Sequence, residues 1–255
     1  YKDMAIYRFS AQPISRSQGR SVVASSAYRS GEKIIDERTG ATYDYTGKND
    51  VVHKEIFLPE NAPQWMSERS QLWNAVELGE NRKDAQLARE VQLALPRELT
   101  IEQNTELVRE FVQSEFVERG MVADFCFHNP KGDDGLNQPH AHILLTLREV
   151  NEEGFGLKER SWNDKALLEH WREEWANCQN RHLALHGIDQ RVDHRSYKEQ
   201  GISLEPQYKI GAKCAQQHMA RLEDHQRIAK ENGQLIFEKP EIALDALTRN
   251  QSTFT

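Results

Sequence analysis

The 255-residue sequence sets 33 Lys and Arg against 40 Asp and Glu, a net charge of −7, and 38% of its residues are apolar. That length suffices for a full core, in one large domain or one domain with an appendage, and the acidity argues against a protein that holds nucleic acid by bulk charge, so any such role falls to a local basic patch. With no run of about 18 apolar residues and no charged-then-apolar leader, neither a membrane span nor export is expected, and the chain reads as cytoplasmic.

Tyr1–Asp3 read as a remnant ahead of a natural start at Met4. AIYRF alternates apolar and polar residues as a strand does, and Ser21 is a plausible cap for a small-residue helix just after it. Between residues 4 and 31 stand Arg8, Arg16, Arg20 and Arg29 and no acidic residue, a local asymmetry that suits a phosphate backbone. If the helix begins near Ser21, Val22 and Val23 turn inward and Tyr28 lies near its exposed end, beside Arg29. By residue type alone, a tyrosine half-buried in the core is the plainer reading of Tyr28. Tyr43 and Tyr45, in the strand-or-turn segment ATYDYTG, are alternative candidates for tyrosine chemistry.

VVHKEIFLPE is strand-like and stops at a proline. Trp73, Val76 and Leu87 suggest an amphipathic helix from about Met66 to Leu87, interrupted near Gly79. AREVQLALP reads as a strand with Glu90 and Gln92 on one face and Val91, Leu93 and Leu95 on the other. Glu90 is either a rim charge or a site residue. Thr100 with Gln103 has the form of a capping box, opening a helix that runs through Glu118 and ends at Gly120.

The stretch HNPKGDDGLNQPHAH, residues 128–142, organises the centre of the chain. On a strand His140 and His142 share a face, and the Gly-Asp-Asp-Gly tract is a turn that would pair this strand with FCFH and bring His128 beside them. Three neutral imidazoles can hold a divalent ion and leave coordination positions open. An H-x-H pair alone is a moderately specific signal, and a lone histidine is usually structural.

SWNDKALLEHWREEWANCQNRHLALHG is a long helix with Leu167, Leu168, Trp171 and Trp175 on one face, capped by Ser161 or Asn163 and closed by Gly187. His182 and His186 are four apart on it, a spacing that could clasp zinc. No acidic partner completes an HExxH pattern, so solvated or packing histidines are the better reading. Cys126, Cys178 and Cys214 are odd in number and lack C-x-x-C spacing, as expected of reduced thiols. A polar helix is expected from Ile210 to Glu231, and a new segment after Pro240 that is too short for its own core. Strands interleaved with helices, without βαβ rhythm or a glycine-rich phosphate loop, indicate an α+β fold on a mainly antiparallel sheet.

A basic strip, an exposed tyrosine and a three-histidine cation site together suggest phosphodiester chemistry. A phenol is a poor nucleophile at neutral pH, and nearby positive charge favours its deprotonation. A cation with no anionic protein ligand can take a phosphate oxygen, polarise the phosphate and align it for in-line attack. Attack by tyrosine would leave the protein joined to DNA through a phosphotyrosine ester, a step that can run backwards. Competing readings are a three-histidine hydrolase, a rolling-circle replication initiator with the same chemistry, and a non-catalytic single-stranded DNA-binding module in which Tyr28 only stacks on a base.

Four segments, MAIYRFSAQPISRSQGRSVVASSAYRSGE, AREVQLALPRELT, GMVADFCFH with PHAHILLTLR, and GIDQRVDHRSYKEQGI, recur in this order over about residues 4–210 and resemble the MobA/MobL relaxases, in particular the N-terminal domain of TraA-type conjugation proteins. The resemblance implies a histidine-hydrophobic-histidine relaxase fold that nicks one strand at a plasmid transfer origin, stays attached to the 5′ end and leaves a free 3′ hydroxyl. It makes Tyr28 the nucleophile, His128, His140 and His142 the ligands of the metal, and Glu90 a residue that orients a histidine or helps remove the tyrosyl proton. The ion is expected to be divalent, Mn2+ or Mg2+ first and other transition metals as alternatives, since imidazole suits several. The implied partners are single-stranded origin DNA, relaxosome accessory proteins and a type IV secretion coupling protein. PEIALDALTRNQSTFT is similar to the start of a helicase domain, so residues 4–210 are expected to form the relaxase domain and 211–255 a helical extension toward a further domain.

Overall fold

The structure, a computed structural model, describes residues 7–132, 135–196 and 199–201. The chain divides into two compact units, Tyr1–His194 and Arg195–Thr255. Tyr1–Asp3, Cys214, the helix expected over 210–231, the boundary near 210 and the tail after Pro240 lie outside the described residues. In the second unit the described residues form a turn in which the Ser196 hydroxyl donates to Glu199 Oε2 at 2.7 Å.

The first unit is built on a five-stranded sheet in the order β1 (Phe9–Ser15), β5 (Gln86–Ala94), β7 (His140–Leu145), β6 (Ala123–His128), β4 (Val51–Phe57), every neighbouring pair antiparallel. Two short hairpins, β2 (Lys33–Ile35) with β3 (Thr42–Asp44) and β8 (Arg148–Asn151) with β9 (Gly154–Lys158), stand apart from it. The expectation of an α+β fold on an antiparallel sheet holds.

Strand alternation sorts side chains into two cores. Ala123, Phe125 and Phe127 of β6, Ala141 and Ile143 of β7, and Val91 and Leu93 of β5 join one cluster with Leu107, Phe111, Trp171 and Trp175, which belong to α3 (Ile101–Val112) and α4 (Lys165–Leu185). The opposite face is covered by α1 (Val22–Ser30) and α2 (Arg69–Leu78), whose Val22, Val23, Leu72 and Trp73 pack with Ile14, Leu87 and Leu144. The histidines, one residue out of phase with the first core, therefore lie on the face that α1 and α2 cover.

Local signals account for the helix ends. Ser21 Oγ accepts the Ala24 amide at 3.2 Å, and Gly31, at φ 63°, closes α1 in a left-handed conformation that a side chain would resist. Thr100 and Gln103 form the reciprocal capping box that opens α3. A π-helical turn, Gln113–Val117, continues it toward Gly120.

Three expectations are corrected. Of the strand expected over AIYRF, only the last residue, Phe9, lies in β1 among the described residues: pairing with β5 begins at Phe9 and Leu93, Tyr7 and Arg8 precede it, and Ala5 and Ile6 lie outside the described residues. The helix expected from Met66 to Leu87 is α2 alone: Met66 sits in a preceding 3-10 turn, and Leu87 belongs to β5, where Gln86 pairs with Ser15. Asp164, not Ser161 or Asn163, holds the N-cap position of α4, since the latter two lie in a separate 3-10 turn, Arg160–Asn163. Among the described residues no helix is long and apolar enough to cross a membrane.

Candidate active site

The register of three strands builds the histidine cluster. β6 pairs with β7 so that His128 faces His140, and β7 pairs with β5 so that His142 faces Gln92. The ring centroids are 4.7 to 5.4 Å apart, and one nitrogen from each ring lies within 4.8 Å of the other two.

The other nitrogen of each ring is held from outside. His142 Nδ1 lies 2.9 Å from Glu90 Oε1, His140 Nδ1 lies 2.8 Å from the Gln138 carbonyl, and His128 Nε2 lies 2.6 Å from the Arg29 carbonyl. A carbonyl or carboxylate oxygen accepts, so these nitrogens carry the protons and leave a lone pair on His128 Nδ1, His140 Nε2 and His142 Nε2. Three inward lone pairs with each outer N–H anchored is the donor arrangement of a histidine metal site, so the residues fit a divalent ion. Asp50 Oδ2 lies 3.5 Å from His128 Nδ1 and adds negative charge at the rim.

Electrostatics keep the cluster neutral. Burial lowers all three histidines, His128 and His142 to about 4 against the opposing pull of the Arg29 carbonyl and Glu90 respectively. Burial would raise Glu90, but hydrogen bonds from His142 and Arg29 reverse that and hold its carboxyl well below the usual range. Glu90 is thus an ionised carboxylate, 3% exposed, with Arg29 Nε at 2.6 Å, His142 Nδ1 at 2.9 Å and Arg20 at 3.5 Å. It is a buried anchor and not a rim charge.

Tyr28 projects from the last turn of α1 and is 43% exposed, against the plainer expectation of a core tyrosine. Its ring meets Tyr45 edge-on at 5.2 Å, with the Arg29 guanidinium 5.0 Å and Lys48 Nζ 4.0 Å from its centroid. Arg29, the next residue, bonds His128 through its carbonyl and Glu90 through its side chain, which ties the tyrosine-bearing turn to the histidines.

The four arginines of the basic strip separate. Arg29 and Arg20 converge on Glu90, and Arg8 is exposed and close enough to act on the charge of His140. Arg16 is not brought to the site. Its guanidinium donates to the Glu77 carboxylate and to the carbonyls of Glu77, Glu80 and Arg82, which anchors the start of α1 to the end of α2.

Lys48 and Asp50 escaped the sequence reading. They sit in a turn before β4, and only the pairing of Val51 with His128 reveals that this turn borders the cluster. Asp124 escaped it too. On the histidine face of β6 it accepts from Arg69 Nε and Nη2, from Trp73 Nε1 at 2.8 Å and from Ser26 at 3.4 Å, fastening α1 and α2 to the sheet.

The model of the MobA/MobL family matches residues 20–220. A conjugal transfer protein TraA of Agrobacterium fabrum is 40% identical over 98% of this chain and 26% of its own length, so the chain spans about a quarter of that relative. A mobilization protein MobL of Acidithiobacillus ferridurans is 33% identical over 95% of this chain and 74% of its own. A solved structure, described as the molecular basis of vancomycin resistance transfer in Staphylococcus aureus, is 37% identical with a TM-score of 0.70, covering 76% of this chain and all of the other. The chain belongs to the MobA/MobL family.

Proposed function

We propose that this chain is a conjugative relaxase that nicks one DNA strand at a transfer origin by attack of Tyr28 on a phosphodiester. The observation that carries the reading is Arg29, which stands next to the exposed tyrosine and makes hydrogen bonds to both His128 and Glu90. Family membership and the fit of three histidines to a cation support it.

Tyr28 Oη forms the bond to phosphorus while the bond from phosphorus to the 3′ oxygen breaks. The phenolic proton passes to solvent, and the departing 3′ oxygen gains one as the free hydroxyl. Since one phosphoester replaces another, the step is reversible. Lys48 and Arg29, beside the tyrosine ring, supply positive charge where the oxyanion and the phosphate meet. Glu90 acts as a positioning residue for His142 and Arg29, because its oxygens already accept from those two and from Arg20, which leaves it poorly placed to take the tyrosyl proton. His128, His140 and His142 would hold Mn2+ or Mg2+, which when bound polarises the scissile phosphate and offsets its charge. Arg8, Arg20 and Arg29 are the proposed DNA contacts, and Arg16 is left out because its donors are engaged internally.

The proposed substrate is single-stranded origin DNA, a reading supported by the transfer and mobilization names of the relatives, and relaxosome accessory and secretion coupling proteins are further proposed partners. The test is incubation with a single-stranded oligonucleotide carrying the transfer origin of its own replicon, with Mn2+ or Mg2+, and then a denaturing gel. A covalent protein–DNA adduct with a free 3′ hydroxyl on the other fragment is expected. Cleavage without an adduct would make the protein a hydrolase, and neither product would make it a binding module.

A further inference from the structure

On the sheet face opposite the histidine cluster, α3 and α4 bring a second set of ligand-bearing side chains together. Glu110, Cys178 and His182 offer a carboxylate oxygen, a thiol sulfur and a ring nitrogen, all within 4.8 Å of one another. Cys178 and His182 are four apart on α4 and so share a face, and the packing of α3 on α4 sets Glu110 against them. The acidic partner that the local pattern around His182 lacks comes from another helix.

Existing contacts leave this group unsatisfied. His182 Nε2 lies 2.7 Å from Glu110 Oε2, and Arg181 also pairs with that carboxylate. The second ring nitrogen, Nδ1, is buried with no hydrogen-bond partner, in a residue 7% exposed. A buried polar atom left unpaired is unfavourable, and the contact between Nε2 and Glu110 does nothing for it. Cys178, 2% exposed, has its sulfur 3.9 Å from the Leu107 carbonyl, a weak contact for a thiol. Burial, with Glu110 beside it, pushes that thiol up to about 12, so without a metal it is protonated and inert.

We propose that Glu110, Cys178 and His182 form a second metal site, selective for a soft divalent cation of the zinc class, that clasps α3 to α4. Thiolate with imidazole favours such a cation over Mg2+ or Mn2+, so the two sites of the protein differ in the ion they select. Binding releases the Cys178 proton to solvent, and three protein ligands leave one position for water at the rim where Glu110 is exposed. The role is structural: the ion adds its binding free energy to the helix pair behind the sheet, and does so whether or not the proposed nicking chemistry is correct.

Cobalt is the probe. The chelator-treated 255-residue chain is titrated with Co2+ and monitored by its thiolate-to-metal charge-transfer absorption, which the histidine cluster, lacking sulfur, cannot produce. The band is expected to saturate within about two equivalents of Co2+, because the histidine cluster also takes the ion, to survive His142→Ala and to vanish in Cys178→Ser. Glu110→Gln, at a side chain 46% exposed, is expected to weaken the affinity read from the band about tenfold or more. Zn2+ is expected to displace Co2+ and raise Tm. Absence of the band in the parent protein overturns the proposal, as does a band that persists in Cys178→Ser or an unchanged affinity in Glu110→Gln. Should Cys178→Ser not fold, the Glu110→Gln titration decides.

Discussion

Glu90 Oε1 accepts from both His142 Nδ1, at 2.9 Å, and Arg29 Nε, at 2.6 Å, so one buried carboxylate joins the histidine cluster on the sheet to the helix that carries Tyr28. Glu90→Gln keeps the shape but removes the charge that both donors face. The N–H of His142 then loses its strongest acceptor and the ring is free to turn. Outer partners of this kind are typically worth about 10–100-fold in metal affinity. Isothermal titration with Mn2+ is expected to show a loss in that range for Glu90→Gln, with a slower adduct-forming rate. A loss of rate at full Mn2+ affinity would instead assign Glu90 to proton removal.

Tyr28→Phe removes one oxygen from an exposed ring and leaves its packing against Tyr45 in place. The variant is expected to form no covalent adduct while binding the origin oligonucleotide with unchanged affinity, which a denaturing gel and fluorescence anisotropy measure separately. Persistence of the adduct would move the nucleophile to Tyr43 or Tyr45, both of which pack against the core that includes α1.

Lys48 lies over the Tyr28 ring at 4.0 Å and is held by Asp50 at 3.5 Å, which places an ammonium where a phosphate would meet the tyrosine. Lys48→Ala is expected to slow adduct formation about tenfold and to reduce the salt slope of DNA binding by about 1, the signature of one lost phosphate contact. Lys48→Arg is expected to recover most of the rate. An unchanged salt slope would confine Lys48 to packing against the ring.

How far the site was legible depends on the range of each signal. His140 and His142 declare themselves because a strand repeats every two residues, whereas the alternation of the strand with Val91, Leu93 and Leu95 on its other face leaves Glu90 open between rim and site, and only the family resemblance gives it a role. Ser21 and Thr100 mark helix starts through bonds that span three residues. Arg16 shows where such reading fails: its charge counts toward the basic strip, yet Glu77, from a helix some 60 residues away, captures its side chain. Lys48 and Asp50 lie in a segment with no periodic mark, and the alternation of β6 gives Asp124 a face but no partner; only long-range pairing of β4 with β6 and docking of α2 give them neighbours.

Asp124 yields the sharpest stability test. Its side chain is 1% exposed and Arg69 is 10% exposed, so the pair is closed to water and Trp73 and Ser26 complete the shell. Asp124→Asn leaves volume nearly constant but strips the charge that compensates a buried guanidinium, for which Glu32 alone is a partial substitute at 2.8 Å. Removing one partner of a buried pair typically costs about 3–5 kcal/mol. For a unit of this size that corresponds to a fall in Tm on the order of 10 °C, read by differential scanning calorimetry. Because Asp124 also fastens α1 through Ser26, the adduct-forming rate is expected to drop at temperatures where Asp124→Asn is still folded. Double replacement of Asp124 and Arg69 by Asn and Met, which removes both charges, is expected to recover much of the Tm. Failure of that recovery would show that the geometry of the bonds to Trp73 and Ser26, and not charge compensation, is what the pair provides.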